Sequence, residues 1–206
     1  MKTEEYPKIT VILRGYSYAE AMMIIEILSS FDKQVGVEVT TNNPDYLKII
    51  SEGTKKFGDQ ISIGVGTVLN YEEAKEAIEH GARFMLAPEK MDQETLALAK
   101  QHNVITVPAA FTPSEVSDLF MKGADIVKIF PATVVGPDFF KQLQGPYGKR
   151  RLMAVGGITI ENAAEYLNNG AAYLGIGSSM FRKEDIKNRD VEALKDSVRN
   201  FLESIK

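Results

Sequence analysis

The chain has 206 residues, 44% of them hydrophobic and 25% charged, with 24 basic against 28 acidic side chains and a net charge of -4. That balance fits one ordinary domain over residues 1–206, with ample core and no basic face for nucleic acid or anionic lipid. Cysteine is absent, which excludes disulfides, thiolate metal ligands and cysteine nucleophiles and suits a reducing cytoplasm.

The start, Met1 to Pro7, is polar and acidic rather than signal-like. No apolar run approaches the ~20 residues that span a bilayer, so a cytoplasmic protein without membrane contact is expected. Beyond it, short apolar runs alternate with helical stretches. Strands are predicted at Ile9–Arg14, Val35–Thr41, Ile61–Val68, Arg83–Pro88, Val104–Ala110, Ile126–Ala132, Arg151–Gly157 and Tyr173–Ser178. Helix starts are marked by Ser17 with Glu20, Asn43 before Pro44, Asn70 with Glu73, Thr112-Pro113-Ser114-Glu115, and a later start at Glu161. Three helices are predicted to end in Gly-Ala and lead straight into a strand, at Gly81, Gly123 and Gly170. Glycine suits the left-handed position after a helix.

Eight parallel strand and helix units in a chain this short predict an α/β fold, a compact (β/α)8 TIM barrel. The alternative is a doubly wound open sheet. Neither Gly-x-Gly-x-x-Gly at the first helix nor a Gly-x-x-x-x-Gly-Lys-Ser/Thr motif supports it.

The most informative residue is Lys128, alone in the apolar run Ile126-Val127-Lys128-Ile129-Phe130-Pro131. Burial favours the neutral amine, and a neutral amine attacks carbonyl carbon to form a Schiff base. On the second strand, Glu38 shares a face with Gly36 and Thr40, opposite Val35, Val37 and Val39. A barrel turns alternate residues inward, so Glu38 and Lys128 are expected in one interior. There Glu38 serves either as the proton carrier that imine chemistry requires or as a structural ion-pair partner.

The seventh strand runs into Gly156-Gly157 and the eighth into Gly177-Ser178-Ser179. Loops at these places bind phosphate in many barrels, because glycine lets backbone N–H groups approach an anion and serine adds donors. A tight turn is the plainer reading of the two glycines. Arg14 closes the first strand as a bidentate carboxylate partner or a surface ion pair. Gly64-Val65-Gly66-Thr67 closes the third, where small residues leave either room for a ligand and a Thr67 hydrogen bond, or a tightly packed layer. Pro88 and Pro108 end the fourth and fifth strands and can shape a pocket. The only histidines, His80 and His102, fall at helix ends, so no metal site is expected.

Taken in order, Val11-Ile12-Leu13-Arg14-Gly15, Val37-Glu38-Val39-Thr40, Gly64-Val65-Gly66-Thr67-Val68-Leu69, Val127-Lys128-Ile129-Phe130-Pro131-Ala132, Val135-Gly136-Pro137 and Val155-Gly156-Gly157-Ile158 resemble the 2-keto-3-deoxy-6-phosphogluconate (KDPG) and 4-hydroxy-2-oxoglutarate aldolase family. The resemblance runs through nearly the whole chain. It implies a class I aldolase without metal or other cofactor, a trimer of barrels, with Lys128 as the Schiff-base lysine and Glu38 as general acid/base. It also implies that Gly156, Gly157, Ser178 and Ser179 hold phosphate, Thr67 and Arg14 the pyruvyl end, and that Phe130 and Pro88 line the pocket. Asn42 stands where many members carry an arginine, which turns attention to Arg14 for the carboxylate.

The expected reaction is cleavage of 2-dehydro-3-deoxy-6-phosphogluconate to pyruvate and D-glyceraldehyde 3-phosphate, with 4-hydroxy-2-oxoglutarate as a second substrate. Val155, where many phosphogluconate enzymes have threonine, looks like the phosphogalactonate relatives and keeps that epimer open. Lesser alternatives are a phosphate-binding barrel isomerase or epimerase, and a silent sugar-phosphate sensor.

Overall fold

A computed structural model describes residues 1–206. In chain order the elements are β1 (Ile9–Leu13), α1 (Tyr18–Ser29), β2 (Val35–Thr40), α2 (Tyr46–Phe57), β3 (Ser62–Gly66), α3 (Tyr71–Glu79), β4 (Phe84–Leu86), α4 (Gln93–Gln101), β5 (Ile105–Val107), β6 (Ala109–Ala110), α5 (Pro113–Met121), β7 (Val127–Ile129), α6 (Ala132–Val135), α7 (Pro137–Tyr147), β8 (Leu152–Val155), α8 (Ala163–Asn168), β9 (Tyr173–Ile176), α9 (Lys183–Asn188) and α10 (Val191–Ser204). All strand pairs are parallel, in the order β5-β4-β3-β2-β1-β9-β8-β7-β6, a nearly closed barrel with helices between the strands. No helix is long and apolar enough to cross a membrane.

Nine strands replace the expected eight because the fifth is divided at Pro108, whose ring nitrogen cannot donate to a neighbouring strand. The two halves face opposite ways along the sheet: β5 pairs with β4 and β6 with β7. Pro108 itself accepts from Lys128 N at 2.9 Å, and Thr106 accepts from Ile126 N at 3.1 Å, so the divided strand still carries the barrel past its seam.

Helix entry follows the capping chemistry at most points. Ser17 and Thr112 form capping boxes with Glu20 and Glu115, and Asn70 accepts from Glu73 N. Gly81, Gly123 and Gly170 take φ of +93°, +95° and +102° after their helices. Two expected starts move. Asn43 is not the cap of α2; its side chain accepts from Asp45 N at 2.9 Å and donates to Tyr16 O at 2.8 Å, building a turn before Asp45. The helix expected at Glu161 begins at Ala163, because Asn162 accepts from Thr159 N and holds the preceding turn.

Alternation along the strands makes two apolar layers. Val35, Val37 and Val39 join the larger cluster under the helices, whereas Phe84, Leu86, Ile126, Met153 and Val155 fill the barrel interior. At the strands' N-terminal end Tyr6 closes the floor. Its ring meets Phe84 and Tyr173 edge-on at 5.1 and 5.2 Å, and its hydroxyl pairs with Thr10 Oγ1 at 2.8 Å. Met1 secures this segment by donating its terminal amine to Asn103 O at 2.7 Å.

Candidate active site

β7 places Lys128 in the barrel interior, 6% exposed. Its Nζ lies 5.1 Å from the centre of the Phe130 ring, and no carboxylate comes within ion-pair distance. Loss of solvation lowers its pKa to about 8, opposed by the Glu38 charge and reinforced by Arg14. Far more of the amine is therefore neutral near physiological pH than in an exposed lysine.

β2 supplies Glu38, 2% exposed. Burial pushes its pKa upward, against the pull of Lys128 and Arg14. Oε2 has no hydrogen-bonding partner. A buried carboxylate with an unsatisfied oxygen is costly, and functional sites are where such a cost is retained. The structural ion pair considered for these two residues does not form: they share one interior and feel each other's field without a direct bond.

The glycines of β3 do not leave a hollow. A Cβ at Gly64 would strike the Phe84 ring and backbone, and one at Gly66 would strike the Glu38 carboxylate. The tightly packed layer is thus the correct reading of Gly64 and Gly66. Thr67, just beyond, has φ of +62°, unusual for a β-branched residue. Its Oγ1 accepts from Arg14 Nη2 at 3.3 Å. Arg14 makes no ion pair; it is turned toward the catalytic end of the barrel and brought to Thr67 from 53 positions away in sequence.

Gly156 and Gly157 take φ of +99° and +74°. The first packs on Phe130 and Pro131 and the second on Thr133. Asn162 Nδ2 donates to Gly157 O at 2.9 Å, and Ser179 Oγ donates to Ile158 O, so the loops after β8 and β9 are stitched together. Ser178 is exposed beside Arg14 along a cavity of about 320 Å³. Pro88 and Phe130 line a second cavity, about 560 Å³, with Ala109, Ala110 and Phe111. Val155 is buried in the interior beside Gly175.

Of the residues expected at the site, the structure brings Arg14 to Thr67 and beside Ser178, and Pro88 to Phe130, along two separate cavities, with Lys128 and Glu38 in the barrel interior and lining neither. Sequence reasoning missed Asn162, Thr133 and Thr41. A signal existed only for Asn162, a helix-capping residue type one position after Glu161. His80 and His102 cap the C-termini of α3 and α4, and no group of three His, Asp or Glu is arranged to hold a metal ion.

Comparison with known proteins bears on the family and the fold. The family model described as "KDPG and KHG aldolase" matches residues 3–197. The chain is 28% identical to 2-dehydro-3-deoxy-6-phosphogalactonate aldolase of Escherichia coli (strain K12) over 197 residues, 94% of each protein. Among solved structures, one described as native KDPGal is similar with a TM-score of 0.82 at 28% identity, covering 96% of this chain and 95% of the other. KDPG aldolase from Legionella pneumophila, captured with pyruvate as a covalent carbinolamine, has a TM-score of 0.82 at 25% identity, covering 95% and 94%. With a barrel of this topology and a match through nearly its full length, the chain belongs to the class I KDPG/KHG aldolase family of lyases.

Proposed function

We propose that this aldolase cleaves a 2-dehydro-3-deoxy-6-phospho sugar acid to pyruvate and D-glyceraldehyde 3-phosphate, with Lys128 as the nucleophile and Glu38 as the proton carrier. The observation that carries this reading is the desolvated Lys128 amine beside a Glu38 carboxylate whose Oε2 has no partner.

Neutral Lys128 Nζ adds to the C2 ketone, giving a carbinolamine. Glu38 protonates the departing hydroxyl, and water leaves as the protonated imine forms. Glu38, now a carboxylate, accepts the C4 hydroxyl proton, and the C3–C4 bond breaks. Its electron pair moves into an enamine, and the aldehyde departs. Protonation at C3 regenerates the imine, now of pyruvate, and water releases it from Lys128. The raised pKa of Glu38 suits a group that must both give and accept protons.

Arg14 and Thr67 receive the carboxylate, Phe130 and Pro88 wall the pocket, and Gly156, Gly157, Ser178 and Ser179 receive the phosphate on the stitched loops. Between the C4 epimers, the phosphogalactonate series is favoured. Val155 offers no hydrogen bond at the position assigned to the C4 hydroxyl, and a full-length relative carries that activity in its name. The same reading includes a homotrimer, supported by exposed apolar side chains beyond the C-terminal ends of the strands, Leu69 and Phe111 on loops and Val134 on α6.

Borohydride reduction with pyruvate tests the chemistry. A three-carbon adduct mapped to Lys128 is the expected result. An adduct on another lysine, or none with active enzyme, overturns the mechanism.

A further inference from the structure

We infer that Thr41 is a positioning residue for the carboxylate end of the substrate, an inference that rests on the aldolase reading above and extends it to a residue outside the pocket. The observation is the backbone of Thr67. Its φ of +62° is sparsely populated for a β-branched residue and persists only where neighbours fix it. Three hydrogen bonds do so. Thr41 Oγ1 donates to Thr67 O at 2.8 Å, Thr41 N donates to Gly66 O at 2.9 Å, and Val68 N donates to Leu86 O at 3.1 Å.

With the backbone so held, the Thr67 hydroxyl faces Arg14, whose Nη2 donates to it at 3.3 Å. That bond occupies a lone pair of the hydroxyl and leaves its proton free. Arg14 and Thr67 then present guanidinium N–H groups and one O–H to the same space, a donor set matched to a carboxylate. Thr41 does not join that set, because its own hydroxyl proton is committed to the Thr67 carbonyl. Its effect on substrate passes through Thr67.

Thr41→Val keeps the shape and removes the donor. In borohydride trapping at Lys128, the half-saturating pyruvate concentration is expected to rise roughly 3- to 10-fold, the range of one lost hydrogen bond. Trapping of acetone, which has the carbonyl without the carboxylate, is expected to stay unchanged, and Thr41→Ser to restore the wild-type response to pyruvate. Equal shifts for pyruvate and acetone would show a general structural role and overturn the inference, as would no shift for pyruvate. If the wild type forms no imine with pyruvate, the aldolase reading fails and takes the inference with it. That failure is visible before any variant is made.

Discussion

The carboxylate of Glu38 occupies the space that a side chain at Gly66 would need. Gly66 pairs with Thr40 in the ladder between β2 and β3, two residues beyond the pair of Glu38 with Gly64, so the carboxylate leans diagonally across the sheet and is braced by bare backbone.

Gly66→Ala therefore has to move the carboxylate. Its turnover is expected to fall about 100-fold, within the range for a displaced acid/base group, and to match Glu38→Gln, while imine trapping at Lys128 persists in both. Overpacking should cost about 1–3 kcal/mol of stability. Steady-state kinetics beside the trapping assay checks this; near-normal turnover in either variant would remove Glu38 from the mechanism.

Lys128→Met should inactivate the enzyme and stabilise the fold. The folded chain holds the Lys128 proton with a pKa of about 8 against 10.5 for the free side chain. Stability from this group thus rises with pH between about 8 and 10.5, and the penalty is fully present below about 8. Removing it should contribute on the order of 1–3 kcal/mol at pH 7, less near pH 10. Denaturant unfolding at both pH values measures the difference; equal or lower stability of the variant at pH 7 would contradict the desolvated amine.

Val155→Thr should shift preference toward the phosphogluconate epimer. A hydroxyl-bearing site separates epimers by a hydrogen bond where an apolar one has only shape. The ratio of kcat/KM for the two epimers is expected to change by the equivalent of about 0.5–1.5 kcal/mol. An unchanged ratio would show that Val155 does not set the stereochemical preference.

Much of this site is legible in the sequence because its chemistry interrupts regular patterns. A lysine in an apolar run and a glutamate alternating with valines each carry a burial signal, and strand periodicity turns both inward. The Gly-Ala helix ends and the Thr112 capping box are equally local. What is not legible depends on neighbours distant in the chain. Pro108 divides its strand because the two halves serve different partners, and Gly64 and Gly66 face Phe84 and Glu38 rather than open space. Asn43 resembles a helix cap, but its side chain is drawn to Tyr16, 27 residues earlier. The bond from Thr41 to Thr67 requires the ends of β2 and β3, 26 residues apart in the chain, to lie side by side in the sheet.

Tyr6 closes the N-terminal end of the barrel, which leaves the C-terminal ends of the strands as the one door to Lys128. In the proposed reaction the pyruvyl fragment is tethered deepest, at Lys128, and the aldehyde lies between it and the exit. Traffic through one door is then ordered by depth. Aldehyde departs before pyruvate in cleavage, and pyruvate enters before aldehyde in synthesis, so the floor imposes a sequence of arrival and departure on a reaction whose bond-making steps are reversible.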